Sequence, residues 1–432
     1  MIGKLAILAA VCSLALGPGT AQAEEPLSLT LREAESVSLQ NHPRITEADL
    51  LALASREQVT EVRSGFLPQM TFDATAVGAG SENTRIAAGG LNNSSIYERD
   101  AEGLTVTQMI TDFGRTMHLL NSSLDYSRAA QANAEAAREE LLLQVDVAFF
   151  TALKAQSILA VAHQTEDARK VVLDQVRALT QNKLRSELDL RFAEVDYEQA
   201  AVLVARAETD LAAAFDSLST LLGDRQMRRY QLVEEPMTAA GTVEPSALAD
   251  VALAQRPDLA DLRLQRDASA QYAQAQKALS YPVIDAFGAA GVIPVRDESH
   301  FESRYEAAGV DLRLPIFDGG LRAAERTEAE YRADAAEEKL RDAENTAIHD
   351  VRVAGLNVNY AYQRLDLTQK LFVNASEAFD LAQARYKLGS SSIVELSQAQ
   401  LNKTQADIDF TSAKYDFAIR HAELNFELGT TQ

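Results

Sequence analysis

Between Pro68 and Pro236 the chain carries no proline, and between Gly114 and Gly223 it carries no glycine. Proline costs a helix interior about 3 kcal/mol and glycine about 1 kcal/mol relative to alanine. A span this long without either can hold helices far beyond the usual three or four turns. Within it Leu141, Val145, Ala148, Ala152, Ala155, Leu159 and Ala162 alternate spacings of four and three, the seam of a coiled coil. One helix from about Arg115 to about Gln181 would be roughly 100 Å long at about 1.5 Å per residue. The polar run Gln181-Asn182-Lys183-Leu184-Arg185-Ser186 breaks it, and a return helix follows from about Glu187 to Leu222. The spacing predicts a long antiparallel helical hairpin.

The unit is written twice. Asn41-His42-Pro43-Arg44-Ile45 recurs as Gln255-Arg256-Pro257-Asp258-Leu259, and Phe66-Leu67-Pro68 as Ser280-Tyr281-Pro282, both at an offset of 214 residues. Ile110-Thr111-Asp112-Phe113-Gly114 matches Ile316-Phe317-Asp318-Gly319-Gly320 at an offset of 206, a spacing that then holds without a gap to Leu222-Gly223 and Leu428-Gly429. The difference falls in a turn-rich loop, Gly78 to Ser95, longer in the first copy. The second seam is Ala347, Val351, Ala354, Val358, Ala361 and Leu365, continued by Phe372, Ala375, Phe379, Ala382 and Tyr386, and its break is Lys387-Leu388-Gly389-Ser390-Ser391-Ser392. The boundaries read as a first repeat at 24–223, a connector at 224–246 and a second repeat at 247–432. In the connector, Arg225, Arg228 and Arg229 form a small basic cluster that reads as a solvated face or ion-pair site.

Before each helical hairpin the pattern changes period. Met70, Phe72, Ala74 and Ala76 alternate with polar Gln69, Thr71, Asp73 and Thr75, while Ala308, Val310, Leu312 and Leu314 alternate with Ala307, Gly309, Asp311 and Arg313. Period two marks strands with one apolar face. With the less regular partners Leu104 to Ile110 and Val283 to Val292, they predict β-hairpins at about 69–111 and 283–315. Such strands suit a membrane only as a closed barrel, because lipid offers an open edge no hydrogen-bond partner. Bacterial barrels have at least about eight strands and this chain offers four. Either the strands form a soluble sheet, or several chains share one barrel.

Residues 1–23 read as a secretory signal: Lys4, an apolar run from Leu5 to Leu16, and the small-x-small site Ala21-Gln22-Ala23. Removing it takes away Cys12, the one cysteine of the 432 residues, and leaves a thiol-free chain suited to an oxidising compartment. No later stretch reads as a spanning helix. The formal charge of −22 argues against nucleic-acid binding, which needs a basic surface. The six histidines are scattered, and no nucleophile elbow, Walker loop or dinucleotide fingerprint occurs, so neither an enzyme nor a cofactor is expected.

Taken in order, Leu29-Thr30-Leu31-Arg32-Glu33-Ala34, Asn41-His42-Pro43, Phe66-Leu67-Pro68, Leu314-Pro315-Ile316-Phe317-Asp318-Gly319-Gly320, Tyr386-Lys387-Leu388-Gly389 and Val394-Glu395-Leu396-Ser397-Gln398-Ala399-Gln400 resemble the TolC-like outer-membrane export channels over nearly the whole mature chain. The resemblance implies a mainly α fold with a β-barrel part. Duplicated helical hairpins and two β-hairpins per chain would give four strands to a twelve-stranded barrel shared by a homotrimer in outer-membrane lipid. It also implies a helical tunnel across the periplasm, docked at its tips to a periplasmic adaptor (membrane fusion) protein and through it to an inner-membrane pump. The rival is a periplasmic coiled-coil adaptor or scaffold without a pore, which has no need of the period-two hairpins.

The same resemblance implies site residues. An acidic constriction near the periplasmic end maps to Glu395 and Gln398, keeping one acid; a ring of three Glu395 carboxylates favours cations and raises the pKa of some members. A tyrosine–arginine–carboxylate latch maps to Tyr386, Ser391 and Asp189, with serine in place of the arginine, so any latch is weaker or built differently. Tyr386 also lies on the apolar seam, where packing is an equal explanation. Lys183, Leu184, Leu388, Gly389 and Ser390 are the expected adaptor contacts. Gly389 matches the family's tip glycine, Lys183 departs from it, and Gly389 also suits a left-handed helix end.

Overall fold

The computed structural model describes residues 27–77, 99–226, 228, 230–234, 244, 248–296 and 303–430; the signal segment and the turn-rich loop lie outside them. Helix α3 runs from Arg115 to Gln181 and returns as α4, Glu187–Leu221; α7, Leu321–Lys387, returns as α8, Ile393–Leu428. Each starts where the backbone permits. Gly114 at φ 97 and Gly320 at φ 91 precede the outgoing helices, and Ser186 and Ser392 cap the return helices by accepting the N–H of Asp189 and Glu395. Most of each seam is buried: Leu141, Val145, Ala152 and Ala162 in α3, and Ala347, Val351, Ala354, Val358 and Ala361 in α7, while Ala148, Ala155, Leu159, Leu365, Phe372 and Ala375 are half-buried.

Shorter helices lie alongside. α1 (Leu31–Asn41) and α2 (Pro43–Ser64) precede the first β-hairpin, and α5 (Ala249–Gln255) and α6 (Pro257–Ala278) precede the second. That hairpin is β2 (Gln69–Val77) with β3 (Arg99–Thr111), and its counterpart is β5 (Val283–Arg296) with β6 (Arg304–Arg313). The four strands form one antiparallel sheet in the order β2-β3-β5-β6. Strands β2 and β6 are its two edges.

The duplication is visible in the geometry. All nine ladder pairs of β2–β3, from Gln69↔Thr107 to Val77↔Arg99, reappear in β5–β6, from Val283↔Arg313 to Gly291↔Tyr305, after the offsets of 214 and 206 are applied. An ion pair between Arg138 of α3 and Asp49 of α2 returns, charges exchanged, as Glu344 of α7 with Arg263 of α6 at 2.9 Å. Both return helices end alike. Gly223 at φ 81 closes on Asn41, and Gly429 at φ 69 closes on Gln255. In each a 5→2 and a 6→1 hydrogen bond complete a Schellman turn: Gly223 to Thr220 and Asp224 to Ser219, Gly429 to Phe426 and Thr430 to Asn425.

Two features differ from the expectation. The segment read as a connector contributes β4, Tyr230–Leu232, which pairs in parallel with β1, Leu27–Leu29. Tyr230 and Leu232 thereby join Leu29, Leu141, Val145, Phe149, Phe215 and Leu218 in the largest core cluster. In the same segment Arg228 pairs with Asp224 at 3.4 Å. Second, α3 holds an 18-residue window of mean hydropathy 1.5, long and apolar enough by composition to cross a membrane. Its apolar excess serves the coiled coil, because α3 packs against α2, α4, α6 and α8 and so needs apolar residues on several faces.

Asp146 of α3 is buried and one of its carboxylate oxygens has no hydrogen-bond partner. Burial first, then the neighbouring Glu35 carboxyl of α1, push its pKa well above the usual carboxylate range. The folded state therefore keeps a proton that the unfolded chain releases above about pH 4, and stability falls as pH rises from there through neutrality. Replacing Asp146 with Asn is expected to flatten this dependence, raising Tm more at about pH 8 than at about pH 5; a parallel shift at both would count against a shared proton. A methyl on Gly223 would lie 2.9 Å from the Asn41 carbonyl oxygen in a left-handed residue. Gly223→Ala should therefore cost about 2 kcal/mol or more, read as earlier loss of helical circular dichroism on heating.

Candidate functional site

The two helix breaks lie side by side at one end of the molecule. Lys183 at φ 58 and Gly389 at φ 72 occupy repeat-equivalent left-handed positions. Each is followed by a Schellman turn, Leu184 N–H to Leu179 and Ser390 N–H to Arg385, at 2.9 and 3.0 Å. The conformation expected of Gly389 is thus present, and Lys183 adopts it despite a Cβ penalty of roughly 1–2 kcal/mol. Lys183, Leu184, Leu388, Gly389 and Ser390 are all exposed. Leu184 is 70% and Leu388 82% accessible, so the end presents apolar side chains that none of the described residues covers.

Just behind the tips the two copies meet. Tyr386 and Phe379 of α7 pack with Leu173 and Val176 of α3, Ala193 of α4, and Ile393 and Leu396 of α8. Tyr386 is 3% accessible and its hydroxyl has no hydrogen-bond partner. Burial raises its pKa, nearby Arg185 opposes that and Asp189 adds to it. The Arg185 guanidinium lies over the Tyr386 ring at 4.8 Å from the centroid. An arginine is therefore present after all: the residue at 391 is serine, while its repeat equivalent, 185, is arginine. Asp189 does not reach the tyrosine hydroxyl. It closes a capping box, accepting the Ser186 N–H at 3.3 Å while its own N–H donates to the Ser186 hydroxyl at 3.1 Å.

Glu395 and Gln398 project one turn apart from the exposed face of α8. Glu395 accepts from Arg385 of α7 at 2.9 Å, and Gln398 donates to Asn402 at 3.0 Å. The structure brings Tyr386, Arg185 and Asp189 together and places Glu395 with Arg385; Gln398 belongs to neither group. Arg385 and Arg185 escaped the sequence reading because neither lies at a family position. The repeat offset, which equates 185 with 391, was the available signal.

A half-buried polar tie farther up also carried no sequence signal. Asp196 of α4 accepts the Ser397 hydroxyl of α8 at 2.5 Å, and its backbone carbonyl accepts from Arg169 of α3 at 2.5 Å. Arg169 is 6% accessible, and burial lowers its pKa. The tie joins the first hairpin to the second. Among the described residues no group of three or more His, Cys, Asp and Glu side chains is arranged to hold a metal. A cleft of about 430 Å³ beside Arg44, Glu139, Arg256 and Asp258 lies roughly 60 Å along α3 from the tips. Burial, followed by the charges of Asp258 and Glu135, lifts Glu139 there to about 7.

The outer membrane efflux protein family matches residues 36–224 and 248–430. The outer membrane protein TolC of Vibrio cholerae is 22% identical over 411 residues, covering 93% of this chain and 90% of that protein. The alkaline protease secretion protein AprF of Pseudomonas aeruginosa is 22% identical over 417 residues, 94% and 85% of the two chains. Crystal structures of CusC, which concern folding and transmembrane channel formation, superpose with a TM-score of 0.79 at 19% identity over 92% of each chain. They share its fold.

The buried, unpartnered Tyr386 hydroxyl separates packing from latching. Tyr386→Phe is expected to change stability by no more than about 0.5 kcal/mol and to leave single-channel conductance unaltered. Tyr386→Ala should cost about 3–5 kcal/mol through the cavity it leaves. Thermal unfolding and planar-bilayer recording of both variants check this. A conductance increase in Tyr386→Phe would assign the hydroxyl a latching bond.

Proposed function

The chain belongs to the outer membrane efflux protein family, and on that premise we propose how one protomer contributes to a passive exit duct. It is an outer-membrane channel protein, a duct for efflux or type I secretion. Three copies close a twelve-stranded barrel in the outer membrane, and their twelve long helices form a tunnel across the periplasm. Substrates enter at the tips from a periplasmic adaptor protein bound to an inner-membrane pump. The protein does no chemistry of its own, and the pump selects the cargo; the name of AprF places protein secretion within the range of its relatives. Each protomer consists of a cleaved signal at 1–23 and two repeats, 24–223 and 247–432, joined through 224–246.

The observation that carries this reading is the four-stranded sheet with both edges unpaired among the described residues, set on helices of 67 residues. Such a sheet cannot sit in lipid alone. Helices of that length, roughly 100 Å, supply the reach. Outer-membrane fractions should contain a trimer that dissociates to a slower- or faster-running monomer only on boiling; finding soluble monomer alone in the periplasm would sink the reading.

The exposed tip residues Lys183, Leu184, Leu388, Gly389 and Ser390 are the proposed adaptor contacts, and Leu388 and Leu184 are the apolar anchors. Glu395 lines the constriction with Gln398, and Tyr386 and Asp189 support it from the packed side. Arg385 holds each Glu395, so the ring is less acidic than three free carboxylates. In planar bilayers Arg385→Ala should increase cation preference and Glu395→Gln should decrease it. Equal selectivity in both variants would remove Glu395 from the conduction path.

A further inference from the structure

The two copies within one chain already display the junction that would join two chains. Resting on the trimeric reading, we propose that the β6 edge of one protomer pairs with the β2 edge of the next in one defined register. In that register Arg313 faces Asp73 of the second copy of this chain. The internal junction between copies is β3 with β5. The hairpin ladders show that β3 maps onto β6 by 206 residues and β5 onto β2 by 214, without a single slipped pair. Applying the same offsets to the β3–β5 ladder turns Thr107↔Phe287, Val106↔Gly288, Thr105↔Ala289 and Leu104↔Ala290 into Arg313↔Asp73, Leu312↔Ala74, Asp311↔Thr75 and Val310↔Ala76.

The residues that face one another in this register are chemically matched. A slip of one residue would set apolar side chains against polar ones on both faces. Instead Leu312 and Val310, 60% and 65% accessible in the protomer, meet Ala74 and Ala76 on one face. Polar Asp311 and Thr75, with Arg313 and Asp73, share the other. The charges agree as well. Within the chain Asp73 faces Gly103, which has no side chain to offer. Arg313 contacts Asp285 at 2.6 Å and Asp311 at 3.0 Å from one side, and its side chain is still 69% exposed. The guanidinium thus has acids on its own chain's side and an open flank toward the edge where Asp73 arrives. Beyond Arg313 the ladder stops because Pro315 has no N–H to donate.

Paired cysteines read the register directly in outer-membrane fractions of the otherwise thiol-free mature chain, with copper phenanthroline and air as oxidant. Cysteines at 73 with 313 and at 75 with 311 should link protomers about tenfold faster than the two-residue-slipped pairs, 73 with 311 and 75 with 313, which lie farther apart. Charge provides a second arm. Asp73→Lys should lower the temperature at which the trimer dissociates, and Asp73→Glu should not. Thr71→Lys, on the same face but opposite no residue of β6, should have less effect than Asp73→Lys. Heat-modifiable trimers whose slipped pairs link faster, or in which Asp73→Lys and Thr71→Lys behave alike, would overturn this register and leave the duct standing. Absence of any trimer from the unsubstituted protein would overturn both.

Discussion

The edge backbone of β2 and β6, unpaired among the described residues, is the first constraint on the structure. Every N–H and C=O left open in hydrocarbon costs several kcal/mol, and four strands cannot curl far enough to satisfy one another. Pairing with further copies removes both edges at once. The sheet's surfaces are already prepared for this: Met70, Phe72, Val310 and Leu312 are exposed on one face, while Asp73, Asp311 and Arg313 alternate with them. Strand count, apolar face and edge therefore form one constraint.

The helical hairpins obey a different rule, small residues at a close seam. Ala152, Ala162, Ala347, Ala354 and Ala361 are buried, so the helices approach closely there, while Leu141, Val145, Val351 and Val358 fill the seam between them. Stretches this long need definite ends, or the seam would slide. Four Schellman turns and two serine caps at repeat-equivalent places provide them. A single ancestral hairpin, doubled, explains why even an ion pair returns at the same place with its charges exchanged.

What could be read in advance follows from how local each signal is. Helix α3 ends where the breakers put it, because Gly114 and the turn at Lys183 act over a few residues. The β-hairpins announced themselves by period two. The β1–β4 pairing did not: three residues each, joined across some two hundred positions, carry no periodicity. The tie from Asp196 to Ser397 and Arg169 joins three helices and has no sequence spacing of its own. Arg185 illustrates the middle case. A single-position comparison at 391 missed it, while the repeat symmetry contained it.

That symmetry also reframes the acids at the tips. Asp189 and Glu395 are the same residue of the two copies, the third position of a return helix behind a serine cap. A carboxylate there stabilises the helix start through the exposed N–H groups and the dipole, so folding alone accounts for an acid at both sites. The copies then diverge in how the acid is attended. Asp189 closes its capping box beside an arginine that is stacked on Tyr386, whereas Glu395 is held by Arg385 from the opposite helix. A structural requirement common to both hairpins has thereby been left, in the second, on the exposed face of α8 with a partner that can be withdrawn. The charge that a conducting ring would present is consequently set by the Arg385 side chain as much as by the carboxylate itself.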